Sequence, residues 1–308
     1  MIKEFALDPA AVSDWGNFRW LTSQFGCEYG RLISRFPSGW KKIVYELCSQ
    51  SDHISQLQLS RIEIILFNLE YEFDKKLIKN NRSFDFGISW LENALESNIS
   101  NPFSAIISLT ETDNVLTPES IDEYTELWKT STGTTVKRSP NDLVNYFRPF
   151  FKFGKEILFV DSHFDPGVPR YYRAFICYFN NLFSIGKVYK NIAIHTSDTI
   201  SIDHFVGQFI KRFSNSIPGE ANIYVFRWKQ LEDNENFHAR YLLTDFGGLS
   251  IDYGFDEGSE NETTDIKLLS KEIYNKRILN INKDSDIFQL NSLLRFSKKS
   301  RELIVEYL

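Results

Sequence analysis

One short segment of the chain combines the residue types that chemistry at a phosphate ester requires. Phe237 to Thr244 reads as a strand, so His238 and Arg240 share one face of it. An imidazole can attack phosphorus or accept a proton, and a guanidinium offers a planar fork to phosphate oxygens. Asp245 follows the strand and is suited to hold the other imidazole nitrogen. The segment therefore predicts a catalytic trio of His238, Arg240 and Asp245.

Three further polar residues follow or end short apolar runs and are candidates for lining the same pocket. Asp161 and His163 follow one predicted strand, and His195 ends the next. Ligands of open α/β sheets gather at the carboxyl ends of the strands, so we expect all three to face the phosphate pocket. Two alternatives stay open. His195 could cap the following helix, and Asp161, His163 and Asp165 could form a polar turn or, less favoured, bind a metal.

The elements around these residues alternate between short apolar strands and amphipathic helices. Strands are predicted over residues 103–109, 156–160, 191–195, 222–226, 237–244, 251–253 and 265–269. Helices are predicted over residues 117–128, 140–151, 170–183 and 202–213, with two more at the C-terminus. Such alternation is typical of an α/β fold, and we expect a mixed, mostly parallel sheet flanked by helices.

Residues 1–97 differ in pattern from residues 98–308, and we predict two regions. The first is expected to be mainly helical, because apolar residues recur every three or four positions between Ser60 and Leu77. Basic and aromatic residues interleave only between Trp15 and Lys42. Two interpretations of that stretch stay open: a small helical core with a charged rim, or a surface that recognises nucleic acid or a protein partner.

Composition narrows the functional classes. The net charge of −6 over 308 residues excludes an overall basic field that would gather nucleic acid, although a local basic groove stays open. The three cysteines have no paired spacing, which argues against a disulfide framework and a zinc site. No GxGxxG or GxxxxGK loop is present, and we expect no cofactor and no metal. Without a signal-peptide pattern or a long apolar run, the chain is expected to be cytoplasmic, with no membrane span.

The spacing His-x-Arg-x4-Asp at His238, Arg240 and Asp245 resembles the His-x-Lys-x4-Asp motif of the phospholipase D superfamily. The resemblance covers residues 136–308, where the order of elements before the motif is also similar. In that superfamily the histidine forms a phosphoenzyme intermediate and the lysine binds phosphate. The version with arginine and a Gly-Gly turn resembles the membrane-binding tail of MIT-domain-containing proteins, and a group of bacterial proteins of poorly defined role.

The chain departs from the superfamily pattern at several positions. Arg240 replaces the lysine, and the downstream Gly-Ser-x-Asn is missing, with Asp252 to Phe255 (DYGF) near its place. Active members bring two motifs together, within one chain or across a dimer. His163 has no Lys or Arg two residues later, so it is not a second copy of the motif. The resemblance therefore implies a homodimer in which two copies of His238 meet.

Two functions follow from the resemblance. The first is a metal-independent nuclease, a phosphodiesterase that acts on nucleic acid as a homodimer, in a bacterial defence system. The alternative is a catalytically degenerate module that binds nucleic acid or a protein partner within a multi-component complex. The arginine substitution and the acidic net charge favour this alternative. Phospholipid binding at a membrane ranks last, because no basic amphipathic helix is present.

Overall fold

A computed structural model describes residues 1–71, 75–232, 234–238, 240–299 and 302–308. Within that part, the chain divides into two compact units, residues 1–132 and residues 133–308, and each unit has a sheet of its own. The first unit extends beyond the expected boundary at residue 97. In the part of the chain that the structure describes, no helix is long and apolar enough to cross a membrane.

The first unit contains a parallel sheet, where a mainly helical region was expected. Its strands are β1 (Lys3–Leu7), β2 (Arg31–Ser34), β3 (Leu77–Ile78), β4 (Ala105–Ile107) and β5 (Val115–Leu116). Its helices are α1 (Trp15–Ser23), α2 (Trp40–Ser49), α3 (Gln56–Asn68) and α4 (Trp90–Ser100). The strands pair in parallel in the order β3-β2-β1-β4-β5, so the strand expected to open the second region belongs to this sheet.

Buried apolar side chains of the strands and helices form the core of this unit. Trp40 of α2 and Ile62 of α3 are fully buried against β1 and its neighbours. The apolar repeat predicted as one helix from Ser60 to Leu77 is therefore helical only in part. Helix α3 ends earlier, Leu77 lies in β3, and Phe73 of the same repeat lies outside the described residues.

A buried aspartate closes the carboxyl end of β1. The strand order changes direction between β1 and β4, which is where open α/β sheets bind ligands. Here Asp8 Oδ2 accepts the Ser108 hydroxyl at 2.7 Å, and Oδ1 accepts the backbone N–H of Ala10 at 2.9 Å. Burial raises the pKa of Asp8, and the two hydrogen bonds oppose that rise. Both carboxylate oxygens are thus bound by near neighbours in the fold.

The second unit is built on a nine-stranded mixed sheet. Its strands are β6 (Gly133–Lys137), β7 (Glu156–Val160), β8 (Asn191–Ser197), β9 (Asn222–Gln230), β10 (Tyr241–Thr244), β11 (Gly247–Ile251), β12 (Thr263–Leu268), β13 (Phe288–Lys299) and β14 (Glu302–Tyr307). Its helices are α5 (Pro140–Phe153), α6 (Pro169–Ser184), α7 (Ile202–Phe213) and α8 (Lys271–Asn280). The order is β14-β13-β9-β8-β7-β10-β11-β12-β6, with parallel pairing at β7-β8 and β8-β9 only among these strands.

Helices cover both faces of this sheet around β7. Alternate residues of a strand face opposite sides. Phe159 packs among the aromatic rings of α5 and α6, with its ring centroid 5.2 Å from that of Phe175. Leu158 and Val160 face the other way and pack with Tyr274 of α8. The abundant phenylalanine of the sequence therefore supplies much of this core.

Several predicted elements from residue 117 onward are confirmed, and others differ. Ser139 caps α5 as expected, and β7 and α7 have the predicted bounds. The strand expected over residues 237–244 begins only at Tyr241. The helix expected over residues 117–128 is reduced to one 3-10 turn at Pro118–Ser120. The last of the two expected C-terminal helices is replaced by the strands β13 and β14.

Candidate active site

The candidate site lies where β7 ends and β10 begins. The two strands are neighbours in the sheet and run antiparallel, with Val160 opposite Tyr241. The residues that follow β7 therefore lie beside the residues that precede β10, although the two segments are far apart in sequence. This register brings Asp161 and His163 close to His238 and Arg240. These are four of the predicted site residues.

Asp161 is the buried carboxylate at the bottom of the site. Its Oδ1 accepts the backbone N–H of His163 at 2.9 Å, and its Oδ2 accepts the backbone N–H of Phe255 at 3.2 Å. Burial raises the pKa of this carboxyl group, while the two backbone hydrogen bonds and the positive charge of Arg240 act against the rise. The carboxylate thus ties together three segments of the chain and supplies a negative charge beneath the guanidinium.

Arg240 lies across this carboxylate and faces the opening of the site. Its Nε is 3.9 Å from Asp161 Oδ1, and its Nη1 donates to the backbone carbonyl of Asp252 at 3.0 Å. Its Nη2 is 3.5 Å from His163 Nδ1. The side chain is 24% exposed, so part of its donor edge stays available to an anion.

Gly254 allows the chain to pass close over Asp161 and Arg240. Its φ is +95°, and a Cβ there would lie 2.6 Å from Asp161 Oδ2 and 2.7 Å from Arg240 Cδ. The site therefore requires glycine both for its backbone conformation and for space. No sequence pattern predicted a role for this position or for Phe255. The one available signal was a glycine in the DYGF segment, near the place of the superfamily's Gly-Ser-x-Asn.

Two imidazole rings lie side by side at the surface of the site. The ring centroids of His163 and His238 are 5.7 Å apart, with planes within 18° of each other. His163 Nδ1 is 2.8 Å from Ser162 Oγ, and its side chain is 49% exposed. His238 is exposed and lies in a turn instead of the predicted strand, and Ala239 of the motif lies outside the described residues.

The segment that carries His238 is anchored to the body of the unit by its neighbours. Phe237 is buried, with its ring centroid 5.0 Å from that of Phe288. Glu235 binds Arg277 of α8 in an ion pair. A buried ring and a charge pair thus fix the turn on the side of the sheet covered by α8, which leaves the imidazole of His238 free to face solvent.

The arrangement brings a second imidazole to the motif within a single chain. His163 was predicted to line the pocket but not to act as a counterpart of His238, because it lacks the motif's basic residue. Its position comes from the antiparallel pairing of β7 and β10, which sequence patterns do not reveal. His163, His238 and Arg240 together could bind a phosphate group and exchange protons with it.

Asp245 does not belong to this site, and its predicted role in orienting His238 is wrong. It follows β10, whereas Arg240 precedes that strand, so the two Cα atoms are roughly 16 Å apart at about 3.3 Å per residue. Asp245 Oδ1 accepts the backbone N–H of Lys155 at 2.6 Å. The carboxylate that does approach the motif is Asp161, from a different strand.

His195 also differs from its prediction, because it is a core residue and does not line the pocket. It is 3% exposed, and its ring lies parallel to that of Phe226 at 4.5 Å between centroids. The indole N–H of Trp228 donates to His195 Nδ1 at 3.1 Å. Burial lowers the pKa of this imidazole to about 3, so the ring is neutral at physiological pH.

The turn after β7 has the structure of an ordinary polar turn. Asp165 Oδ1 accepts the backbone N–H of Gly167 at 2.7 Å, and Asp161 binds backbone groups in the same way. Among the residues that the structure describes, no group of three or more His, Cys, Asp or Glu side chains is placed to hold a metal ion. The structure thus gives no support to the metal-binding alternative for Asp161, His163 and Asp165.

The basic and aromatic stretch between Trp15 and Lys42 contributes mainly to the core of the first unit. Phe36 and Trp40 are buried, and Arg35 binds Glu70 at 2.7 Å. These residues agree with the first of the two interpretations, a core with a charged rim.

Comparison with known protein families found none whose model matches this chain, and comparison with curated proteins found no match either.

Proposed function

We propose that the second unit is a phospholipase-D-like phosphodiesterase that cleaves nucleic acid without a metal ion. The observation that supports this best is the meeting of two exposed imidazoles and one guanidinium above the buried carboxylate of Asp161. Imidazole is the side chain best suited to proton transfer near neutral pH, and arginine binds phosphate oxygens in a planar fork.

Each residue has a distinct part in this proposal. Arg240 binds the non-bridging oxygens of the phosphate, held in place by Asp161 and the carbonyl of Asp252. His238 acts as nucleophile or base, and His163 gives a proton to the leaving oxygen. Because side chains of the protein supply all of these actions, the reaction is expected to continue in the presence of EDTA.

The test is cleavage of labelled single- and double-stranded DNA and RNA by the wild type, His238→Ala and His163→Ala, with and without EDTA. His53→Ala is the matched control, because His53 is an exposed histidine of the first unit. We expect the wild type and the control to cleave, and both site variants to lose at least about 100-fold in rate. Cleavage that persists unchanged in the site variants would rule out this site.

A second candidate function is a binding module without turnover, and the charges near the site favour it. Asp256 binds Arg138 at 2.6 Å and Arg170 at 3.1 Å, and Glu257 binds Arg173 at 2.9 Å. These arginines are neutralised and do not extend Arg240 into a basic track, so attraction of a long polyanion is weak. For this function, we expect fluorescence anisotropy to show that the wild type binds labelled DNA or RNA without cleaving it. Arg240→Gln should lose this binding.

The homodimer, a protein partner in a multi-component system and a role in bacterial defence are also proposals, and they rest on the resemblance. A cytoplasmic location is a further proposal, and it rests on the sequence patterns alone. Sedimentation of the purified chain over a range of concentrations tests the first of them. A dimer at micromolar concentration would support it, and a monomer at every concentration would contradict it.

A further inference from the structure

Among the described residues, neither imidazole of the site is hydrogen-bonded to a carboxylate or carbonyl, the partner that a phosphohistidine nucleophile needs. A nucleophilic imidazole is usually held through its second nitrogen by a carboxylate or carbonyl, which fixes the tautomer. Among the hydrogen bonds of the described residues, no carboxylate binds the ring of His238, and Asp245 lies at the far end of β10. In the described part of the chain, His238 therefore has no carboxylate that would fix the tautomer of a nucleophilic ring.

His163 has surroundings that suit the opposite role, proton donation. Its Nδ1 is 2.8 Å from Ser162 Oγ, which can accept a hydrogen bond from the protonated ring. The same nitrogen is 4.0 Å from Asp161 Oδ1 and 3.5 Å from Arg240 Nη2, so the ring lies directly beside the guanidinium that would bind the phosphate. The two rings are 5.7 Å apart, close enough to serve as acid and base in one reaction, and such a pair needs a nucleophile from elsewhere.

We propose that the nucleophile is the 2′-hydroxyl of the substrate, so that the site cleaves RNA and not DNA. His238 removes the 2′-hydroxyl proton as the 2′-oxygen bonds to phosphorus. The bond from phosphorus to the 5′-oxygen breaks, and His163 gives its proton to that oxygen. The products are a 2′,3′-cyclic phosphate and a 5′-hydroxyl, and no other reactant is consumed. Arg240 binds the two non-bridging oxygens throughout. This inference rests on the proposed phosphodiesterase function and specifies its substrate.

The test uses three single-stranded oligonucleotides with one sequence: all-DNA, DNA with one ribonucleotide, and DNA with one 2′-O-methyl ribonucleotide. We expect cleavage of the second only, directly after the ribonucleotide, with a 2′,3′-cyclic end. Preparations of His163→Ala and His238→Ala are expected to lose at least about 100-fold in rate, while His53→Ala does not. Circular dichroism of each variant confirms that it is folded, and the loss in the site variants excludes a contaminating ribonuclease.

Two other results would overturn the inference and can be told apart. Equal cleavage of all three oligonucleotides, with a phosphorylated protein after acid quenching, would establish a nucleophilic histidine. The phosphodiesterase proposal would then survive and the 2′-hydroxyl mechanism would fail. If none of the three oligonucleotides, nor the longer RNA and DNA substrates, is cleaved, both proposals fail and the binding function gains.

Discussion

The two units each place a buried aspartate at the carboxyl end of a central strand, and the two aspartates have different neighbours. Asp8 follows β1 and is bound by the Ser108 hydroxyl and by a backbone N–H of its own turn. Asp161 follows β7, and a guanidinium lies over it with two imidazoles beside it. Burial raises the pKa of both carboxyl groups.

The difference arises from the strand that lies next to each aspartate. Beside Asp8, the parallel strand β4 ends at the same edge and delivers a serine. Beside Asp161, the antiparallel strand β10 begins at that edge and delivers Arg240. At the carboxyl end of the central strand, the aspartate of the first unit thus has a neutral hydroxyl donor as its neighbour. The aspartate of the second unit has a cation, which can bind anions.

Removal of each carboxylate is the strongest way to test this contrast. Asp161→Ala leaves the buried Nε of Arg240 facing no charge, and we expect a loss of about 3 to 4 kcal/mol in the free energy of unfolding, with activity abolished. Asp8→Ala removes the acceptor of two hydrogen bonds, one from the backbone N–H of Ala10 and one from the Ser108 hydroxyl. We expect a loss of about 1 to 2 kcal/mol in the free energy of unfolding. Urea unfolding measures both changes.

Asp161→Asn separates the charge from the shape of that side chain. We expect this variant to remain folded and to lose about 10- to 100-fold in cleavage rate, because Arg240 loses the charge that orients it. Asp8→Asn keeps an oxygen that can accept the backbone N–H of Ala10, and it should leave the cleavage rate unchanged. Equal effects of the two asparagine variants on the rate would contradict the functional difference between the units.

The buried histidine of the second unit, His195, predicts how the stability of that unit depends on pH. His195 has a pKa near 3 in the folded chain and about 6.5 when unfolded, so its contribution to stability is full above pH 6.5 and is lost as the pH falls toward 3. We expect the wild type to be about 3 kcal/mol less stable at pH 4 than at pH 7 from this group alone.

Urea unfolding of the wild type and His195→Gln at the two pH values measures the contribution of His195 to this stability difference. The difference between pH 7 and pH 4 should shrink in the variant and stay unchanged in the exposed control His53→Gln. An equal pH dependence in the wild type and His195→Gln would show that the buried ring takes up a proton without cost.

Gly254 tests how closely the second aspartate is packed. Gly254→Ala introduces a Cβ that meets Asp161 and Arg240 at a backbone φ of +95°, and we expect a loss of about 2 kcal/mol in stability and of most activity. Gly207 of α7 has open space around it, so Gly207→Ala should raise stability by about 1 kcal/mol. Thermal unfolding and cleavage rates of both variants provide the comparison.

The smallest effect is expected from mixing two inactive variants. If both imidazoles act within one chain, equimolar His163→Ala and His238→Ala should recover no cleavage. A site shared between two chains would instead recover up to about a quarter of the wild-type rate by random pairing of subunits. The measurement is the rate of the mixture after incubation, against each variant alone.

The sequence predicted well the elements whose apolar pattern is regular, such as β7 and α7. It missed β13 because a bulge between Leu290 and Ser292 shifts the strand's register. Leu293 and Leu294 are both buried, three and four positions after the partly buried Leu290, and this spacing resembles a helix turn. Short strands of the first unit, such as the two-residue β3, carry too few residues to show alternation.

The candidate site could be predicted only as far as single segments allow. His238 and Arg240 were identified from their spacing, and Asp161 and His163 from their place after a strand. The antiparallel pairing of β7 with β10 decides which of them meet, and it depends on packing between distant parts of the chain. For the same reason Asp245, close in sequence, was expected to reach the motif, whereas the carboxylate that does so is that of Asp161.

The register of β7 against β10 also sets the order in which the site can form during translation. Asp161 leaves the ribosome long before Arg240 and the segment that ends at Phe255, which supplies one of its backbone donors. Until that segment has emerged, the carboxylate has only the nearby backbone N–H of His163 and water as partners, and β7 has no antiparallel neighbour at this edge. A nascent chain can therefore complete this site only late in synthesis, after β10 and Phe255 have emerged.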